Sequence, residues 1–265
     1  MKERIDVYLF RVGLASSREK AQALIMEGRV FIGERRVDKA SETVEEDCAV
    51  QVRGNENAYV SRGAYKLERA FEVFHPDASG KVLLDIGAAS GGFTDVLLRH
   101  GAAHVYAVDV GYGQFDWKLR NDPRVTLMER TNARLLKPEQ FAVVPDGAVM
   151  DVSFISARLI IPTLLLLTGS KGRIITLVKP QFEAGKSAVG KNGVVRDPDT
   201  HRRVLKEIRD FCPPLSCHVD AFTYSPIRGP KGNIEFLADI QPGPADGPTD
   251  EDIRVVVSEA HEKSR

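Results

Sequence analysis

A glycine-dense turn between two short apolar runs constrains this chain more than any other feature. Val82-Leu83-Leu84-Asp85-Ile86 enters Gly87-Ala88-Ala89-Ser90-Gly91-Gly92, and a helical pattern follows from Phe93 to about His100, closed by Gly101. The first run is too brief for a helix and reads as a buried strand. Glycines 87, 91 and 92 let the backbone approach a ligand without obstruction by Cβ, and the free N–H groups of the helix face the same place. Asp109 ends the next run, Val105-Tyr106-Ala107-Val108, where an acid can accept ribose hydroxyls. Strand, glycine turn and helix in that order predict an α/β fold with a nucleotide-like site at the turn.

Spacing narrows the ligand. A dinucleotide fingerprint needs a second glycine where this turn has Ala89, which weakens a pyrophosphate reading. Asp85-x-Gly87-x-x-x-Gly91-Gly92 resembles the first motif of class I methyltransferases. That resemblance implies S-adenosylmethionine as cofactor on a Rossmann-like sheet, with Asp85, Gly87, Ala88, Ser90, Gly91, Gly92 and Asp109 beside it. The segment Asp109-Val-Gly-Tyr-Gly-Gln114 is similar to the family's ribose and adenine wall, and Asn132 is placed for an adenine contact; ordinary loop structure is the alternative for both.

Strand-like runs then alternate with helical or loop segments: 105–109, 125–128, 147–151 and 173–178, with a late pair near 221–224 and 234–240. This is a βα repeat feeding a largely parallel sheet, with an antiparallel edge expected at the end. Asp109, Asp151 and Lys179 stand at strand ends, where open α/β sheets bind ligands. Ahead of the turn, Ala64, Leu67, Phe71 and Phe74 share one helical face, with Ser61 a plausible cap; Lys66 lies off that stripe and alone carries no functional claim. Residues 185–196 read as a mobile loop beside the crevice. Asp250 is expected to cap a final helix carrying Ile253, Val256, Val257 and Ala260.

Residues 2 to about 53 form a module of their own. Ile5, Leu9 and Val12 fall at helical spacing; Ser16 or Ser17 can cap a second helix with Ala21, Leu24 and Ile25; short strands follow. Nine basic residues precede position 40 and four acids cluster after it, although the whole chain balances 37 basic against 37 acidic residues. Charge alone leaves a solvated face and nucleic-acid binding equally open. The pattern Arg4-Ile-Asp-x-x-Leu9 with Ala15-Ser-Ser-Arg18-x-x-Ala21-x-x-Leu-Ile25-x-x-Gly28 closely resembles the alpha-L RNA-binding domain. That resemblance implies a small α+β domain whose basic face, with Arg4, Arg11, Arg18 and Lys20, docks on folded RNA. The expected domains are therefore 1–53, a linker at 54–60, and 61–265.

Three cysteines, Cys48, Cys212 and Cys217, make neither a disulfide framework nor a zinc set, and a reducing compartment, the cytoplasm, is expected. The six histidines have no ligand spacing, so no metal is expected. The most apolar run, Leu159 to Leu167, is half the length of a membrane span and contains Pro162, so no membrane partner is expected. Trp117 is expected to pack rather than stack on a base.

Four segments outside the glycine turn, Ser61-Arg-Gly-Ala-Tyr-Lys66-Leu, Asp151-Val-Ser-Phe-Ile, Leu177-Val-Lys179-Pro-Gln-Phe-Glu and Gly232-Asn-Ile-Glu235-Phe-Leu, resemble the catalytic segments of TlyA-type, FtsJ-like ribosomal RNA 2′-O-methyltransferases. The resemblance covers essentially the whole chain and implies a catalytic set of Lys66, Asp151, Lys179 and Glu235. It implies methyl transfer from S-adenosylmethionine to a ribose 2′-hydroxyl of ribosomal RNA, with cytidine the expected nucleotide and ribosomal RNA or subunits as partner. In it Lys179 contacts the 2′-oxygen, Lys66 and Glu235 hold that lysine, and Asp151 sits between lysine and cofactor. Whether Lys179 is a base or an electrostatic guide stays open. The family also carries the name haemolysin; a non-catalytic RNA-binding protein and a membrane-active toxin are the alternatives.

Overall fold

The computed structural model describes residues 2–15, 17–45, 48–52, 59–169 and 172–263. It comprises two compact units, Met1–Ala58 and Tyr59–Arg265. Of the expected linker, 54–60, residues 54–58 lie outside the described residues, and Tyr59 and Val60 belong to the second unit, packed against its core.

In the first unit, helices α1 (Ile5–Arg11) and α2 (Arg18–Met26) accompany strands β1 (Lys2–Arg4), β2 (Val30–Ile32), β3 (Arg35–Arg36), β4 (Thr43–Glu45) and β5 (Val50–Val52). β1 pairs with β4, and β2 lies between β3 and β5, all antiparallel. Ile5, Leu9, Ala21, Leu24 and Ile25 face one core with Val30, Val37 and Val44. Ser17 caps α2 by accepting the Lys20 N–H at 3.2 Å. Val12, expected on the buried stripe, lies just past α1 and is exposed. The helix ends one residue before the periodicity does.

The second unit runs α3 (Ala64–Phe74), β6 (Val82–Ile86), α4 (Gly92–Arg99), β7 (His104–Val108), α5 (Trp117–Arg120), β8 (Val125–Met128), β9 (Gly147–Met150), α6 (Ile161–Thr168), β10 (Arg173–Val178), α7 (Pro180–Glu183), α8 (Pro198–Phe211), β11 (Cys217–Tyr224), β12 (Phe236–Pro242) and α9 (Asp250–Lys263). Its seven-stranded sheet has the order β11-β12-β10-β9-β6-β7-β8. The five strands from β10 to β8 are parallel, and β12 runs antiparallel between β10 and β11. The antiparallel strand is thus inserted, and β11 takes the edge. The residues give the reason: Phe236 to Ile240 are buried throughout, whereas β11 exposes Asp220. Two apolar layers cover the sheet, one holding Ile161, Val204 and Val257, the other Leu67, Phe93 and Leu97.

Two helix starts differ from expectation. Ser61 does not cap α3, whose N-cap is Gly63. α9 is capped by Thr249, which exchanges hydrogen bonds with Asp252: the Asp252 N–H donates to Thr249 Oγ at 3.2 Å and the Thr249 N–H to Asp252 Oδ2 at 2.8 Å. Asp250 instead pairs with Lys206 and Arg209 of α8, at 2.6 and 2.8 Å.

Candidate active site

β6 pairs with β7 on one side and β9 on the other, so the chain reverses its direction of progress across the sheet beside β6. Ligands of such sheets bind at the carboxyl ends of the strands on either side of that point. The glycine turn leaves β6 there. Gly87 has φ +82°, and a Cβ on it would lie 2.5 Å from the Asp151 carbonyl oxygen, so only glycine lets the turn cross the end of β9.

A cavity of about 470 Å³ opens at this place, lined by Gly87, Ala89, Asp109, Gln114, Asn132 and Asp151 among others. Its size suits a small-molecule ligand. Asp109 accepts the Ala89 N–H at 2.8 Å and the Gly111 N–H at 2.6 Å, which fixes its carboxylate at the wall while leaving lone pairs for a ligand's hydroxyls. Of the other residues expected beside a cofactor, Ala88, Ser90, Gly91 and Gly92 shape the turn without lining the cavity, and Asp85 is buried beneath it.

Asp85 accepts the Thr94 hydroxyl at 2.6 Å, tying β6 to the first turn of α4. Burial pushes its carboxyl up to about 7, against the opposing pull of Thr94. The folded chain therefore holds a proton on Asp85 that an unfolded carboxylate releases near pH ~4, so stability falls as pH rises from ~4 to ~7 and is flat above. At ~1.4 kcal/mol per unit this decline is at most about 4 kcal/mol. Asp85→Asn should remove it: urea unfolding at pH 4.5 and pH 8 should give a smaller pH difference for the variant than for the parent, and an unchanged difference would refute the assignment.

Lys66 enters from the first turn of α3, Asp151 and Lys179 follow the last residues of β9 and β10, and Glu235 immediately precedes β12. The four converge. Lys66 Nζ donates to Asp151 Oδ2 at 3.1 Å and lies 2.7 Å from Glu235 Oε2, and Lys179 Nζ lies 2.5 Å from Asp151 Oδ1. Lys179 Nζ also donates to Ser153 Oγ at 2.9 Å. Glu235 fits because residue 229 is glycine: a Cβ there would stand 2.5 Å from Glu235 Oε1. A second cavity of about 420 Å³ is lined by Lys66, Ser153, Phe154, Lys179, Asn233 and Glu235 among others. Asp151 faces the first cavity, and Ser153 and Phe154 line both.

Residues 59–240 match the FtsJ-like methyltransferase family. This chain belongs to that family. Residues 3–47 match the S4 domain. The chain is 46% identical to "16S/23S rRNA (cytidine-2'-O)-methyltransferase TlyA" of Mycobacterium tuberculosis, over 89% of this chain and 88% of that protein. It is 41% identical to "Hemolysin A" of Brachyspira hyodysenteriae, over 89% of this chain and 98% of that one. A solved structure from Streptococcus thermophilus, also named as a hemolysin, superposes with a TM-score of 0.76 at 42% identity, covering 99% of this chain and 96% of that one. Among the described residues no helix is long and apolar enough to cross a membrane.

The charges of this cluster are mutually dependent. Burial works against the Lys66 ammonium, but Asp151 and Glu235 outweigh it and hold Lys66 above its ordinary value. Burial likewise opposes the Asp151 carboxylate, and Lys179 and Lys66 outweigh it, holding Asp151 below its ordinary value. Lys66 is thereby kept an ammonium.

The lining residues Ser153, Phe154 and Phe182 escape a residue-by-residue reading of the sequence, although they sit inside two of the four segments that carry the resemblance. Their signal is adjacency to Asp151 and Lys179 at strand ends. Phe154 is 91% exposed with φ +64°, and its ring centroid lies 5.2 Å from that of Phe182. Trp117, expected to pack, is also exposed, because α5 is a single short turn that buries only Leu119.

In the S4 unit, Asp6 is fully buried and gathers the basic residues. Arg4 donates to its two oxygens at 3.0 Å each, Gln22 at 2.8 Å and Arg18 at 3.4 Å. The bidentate Arg4 holds the Asp6 carboxyl far below the usual range despite its burial. Arg11 pairs with Glu3, and Lys20 is exposed. Arg4 and Arg18 are thus held by an acid while about half of each side chain stays open to solvent, at 48% and 51%.

Proposed function

We propose that this chain transfers a methyl group from S-adenosylmethionine to the ribose 2′-hydroxyl of a cytidine in ribosomal RNA. The observation that carries the reading is the Lys66–Asp151–Lys179–Glu235 cluster, buried but for Asp151, standing between two cavities, one suited to the cofactor and one to an acceptor nucleotide. S-adenosylmethionine, when bound, supplies a sulfonium methyl that is already activated for attack. Asp109 would hold its ribose hydroxyls, the Gly87–Ala89 turn would pass beneath it, and Gln114 and Asn132 would flank its base.

The residues do the rest. A ribose hydroxyl is a weak acid and a poor nucleophile, so the site must orient its oxygen and stabilise or remove its proton. Lys179 Nζ donates to Ser153 and stands against the Asp151 carboxylate as an ion pair, and its remaining side, toward the second cavity, would meet the 2′-oxygen. An ammonium N–H there would stabilise developing negative charge; a neutral amine there would instead accept the hydroxyl proton on its lone pair as the oxygen takes the methyl group. Lys66, fixed between two carboxylates, holds Asp151 in place. The matched rRNA methyltransferases and the S4 unit support RNA as partner, with Arg4, Arg11, Arg18 and Lys20 meeting phosphates. Three free cysteines fit the reducing cytoplasm as its compartment.

The test is transfer of labelled methyl from S-adenosylmethionine to ribosomal RNA, free and in separated subunits, followed by mapping of ribose methylation. Label on a cytidine ribose supports the reading; label on a base, or none on any RNA form, overturns it. Binding to RNA should weaken steeply with salt, as phosphate neutralisation requires. Asp109→Ala should weaken S-adenosylmethionine binding about 10- to 100-fold, the loss of charge-assisted hydrogen bonds worth roughly 1.5 to 3 kcal/mol, with RNA affinity nearly intact. Calorimetry giving equal cofactor affinity for parent and variant would remove Asp109 from the site.

A further inference from the structure

The turn that follows Asp151 is held from outside the catalytic cluster. Phe154 occupies the left-handed region at φ +64°, a conformation that a bulky residue keeps only when its surroundings fix it. Three residues later the chain enters a 3-10 turn, Ala157–Leu159, whose first N–H groups need acceptors. One carboxylate serves this segment. Glu183, 7% exposed at the end of α7, accepts the Ala157 N–H on Oε1 at 2.7 Å and the Ser156 hydroxyl on Oε2 at 2.6 Å. Arg158 Nε approaches the same Oε2 at 3.3 Å, and Arg158 Nη2 donates to the Glu183 carbonyl at 3.4 Å.

Glu183 follows Lys179 by four residues, in the segment that continues directly from β10. The clamp therefore joins the segment carrying Lys179 to the segment carrying Asp151 and Ser153, immediately beyond the ends of two neighbouring parallel strands. Between the clamp and Asp151 lies Ser153, whose hydroxyl receives the Lys179 ammonium. A shift of the 153–156 turn moves that hydroxyl and turns Lys179 Nζ away from the second cavity.

We propose that Glu183 is a positioning residue for methyl transfer, fixing the Ser153–Ser156 turn so that Ser153 and Asp151 together aim Lys179 Nζ at the acceptor oxygen. The proposal rests on the catalytic reading of Lys179. Glu183 lines neither cavity and acts only through the turn. Glutamine at 183 keeps size and one acceptor but presents an amide N–H to a donor, either Ala157 N–H or Arg158, so it loosens the clamp without emptying the site.

The experiment compares parent, Glu183→Gln, Ser153→Ala and the double variant. Thermal unfolding and S-adenosylmethionine calorimetry come first: Glu183→Gln should fold, and its cofactor affinity sets the saturating concentration used for the rates, because the turn also borders the first cavity. Its single-turnover methyl-transfer rate at saturating RNA should fall about 10- to 100-fold, the scale of a misplaced reacting group. Because Glu183 acts largely through Ser153, the rate loss of the double variant should be clearly smaller than the product of the two single losses, a non-additivity that a general loss of stability does not produce. A crystal structure of Glu183→Gln should show the 153–156 turn displaced and the hydrogen bond from Lys179 to Ser153 broken. A parental rate, multiplying rate losses, or an unmoved turn would each overturn the proposal. Failure of the methyl-transfer reading is distinguishable, since the parent would then transfer no methyl to RNA while the displaced turn would still be seen.

Discussion

Lys179→Ala should lower the single-turnover rate of RNA methylation about 10²- to 10⁴-fold, the range for loss of a positioned acid-base group, while cofactor and RNA affinities change little. The reason is geometric. Lys179 Nζ is held by the Ser153 hydroxyl and the Asp151 carboxylate while it lines the second cavity, where in the proposed reaction it would meet the acceptor oxygen as it begins to attack. Lys179→Arg separates the two roles: it keeps the charge but cannot accept a proton at neutral pH. Substantial activity in Lys179→Arg assigns electrostatic guidance; activity as low as Lys179→Ala assigns proton acceptance. Rapid-quench measurement with labelled cofactor reads both, and a parental rate for Lys179→Ala would remove this lysine from the chemistry.

Asp151→Asn should cost about 3 kcal/mol of stability or more at neutral pH, the usual result of breaking a buried ion pair from one side. Asp151 neutralises two ammonium groups at once, and its loss leaves Lys179 with Ser153 and Lys66 with Glu235 alone. Asp151 is held below its ordinary value, so its contribution is present above the ordinary carboxylate range and is lost as pH falls through the folded value. Urea titration at pH 7.5 measures the cost. Adding Lys179→Met to Asp151→Asn should return part of it, because the orphaned charge goes with it. An Asp151→Asn protein as stable as its parent would mean that the four charges are not coupled as their distances imply.

The glycine turn, the strands flanking it and the helix after it were legible in the sequence because each is a local matter. A short apolar run, a missing Cβ and an acid at the next strand's end act within a few residues of themselves, and β8 and β10 have the bounds that the runs 125–128 and 173–178 predict. Asp151 and Lys179 were legible as polar residues at strand ends, whereas Lys66 and Glu235 came only through resemblance, since Lys66 beside an apolar stripe looks like any solvated flank. In the fold it is 8% exposed between two carboxylates.

Tertiary structure decided what depends on partners distant in the chain. The place of β12 inside the sheet follows from which neighbours can bury Phe236 to Ile240, and no pattern within that run names β10 and β11 as those neighbours. Asp250 left the cap to Thr249 because α8 brings Lys206 and Arg209 to it. Gly87 is required by an oxygen 64 residues away in the chain, the Asp151 carbonyl. Propensity and periodicity are properties of neighbours in sequence; the balance of two lysines against two carboxylates exists only after strand order has brought them together.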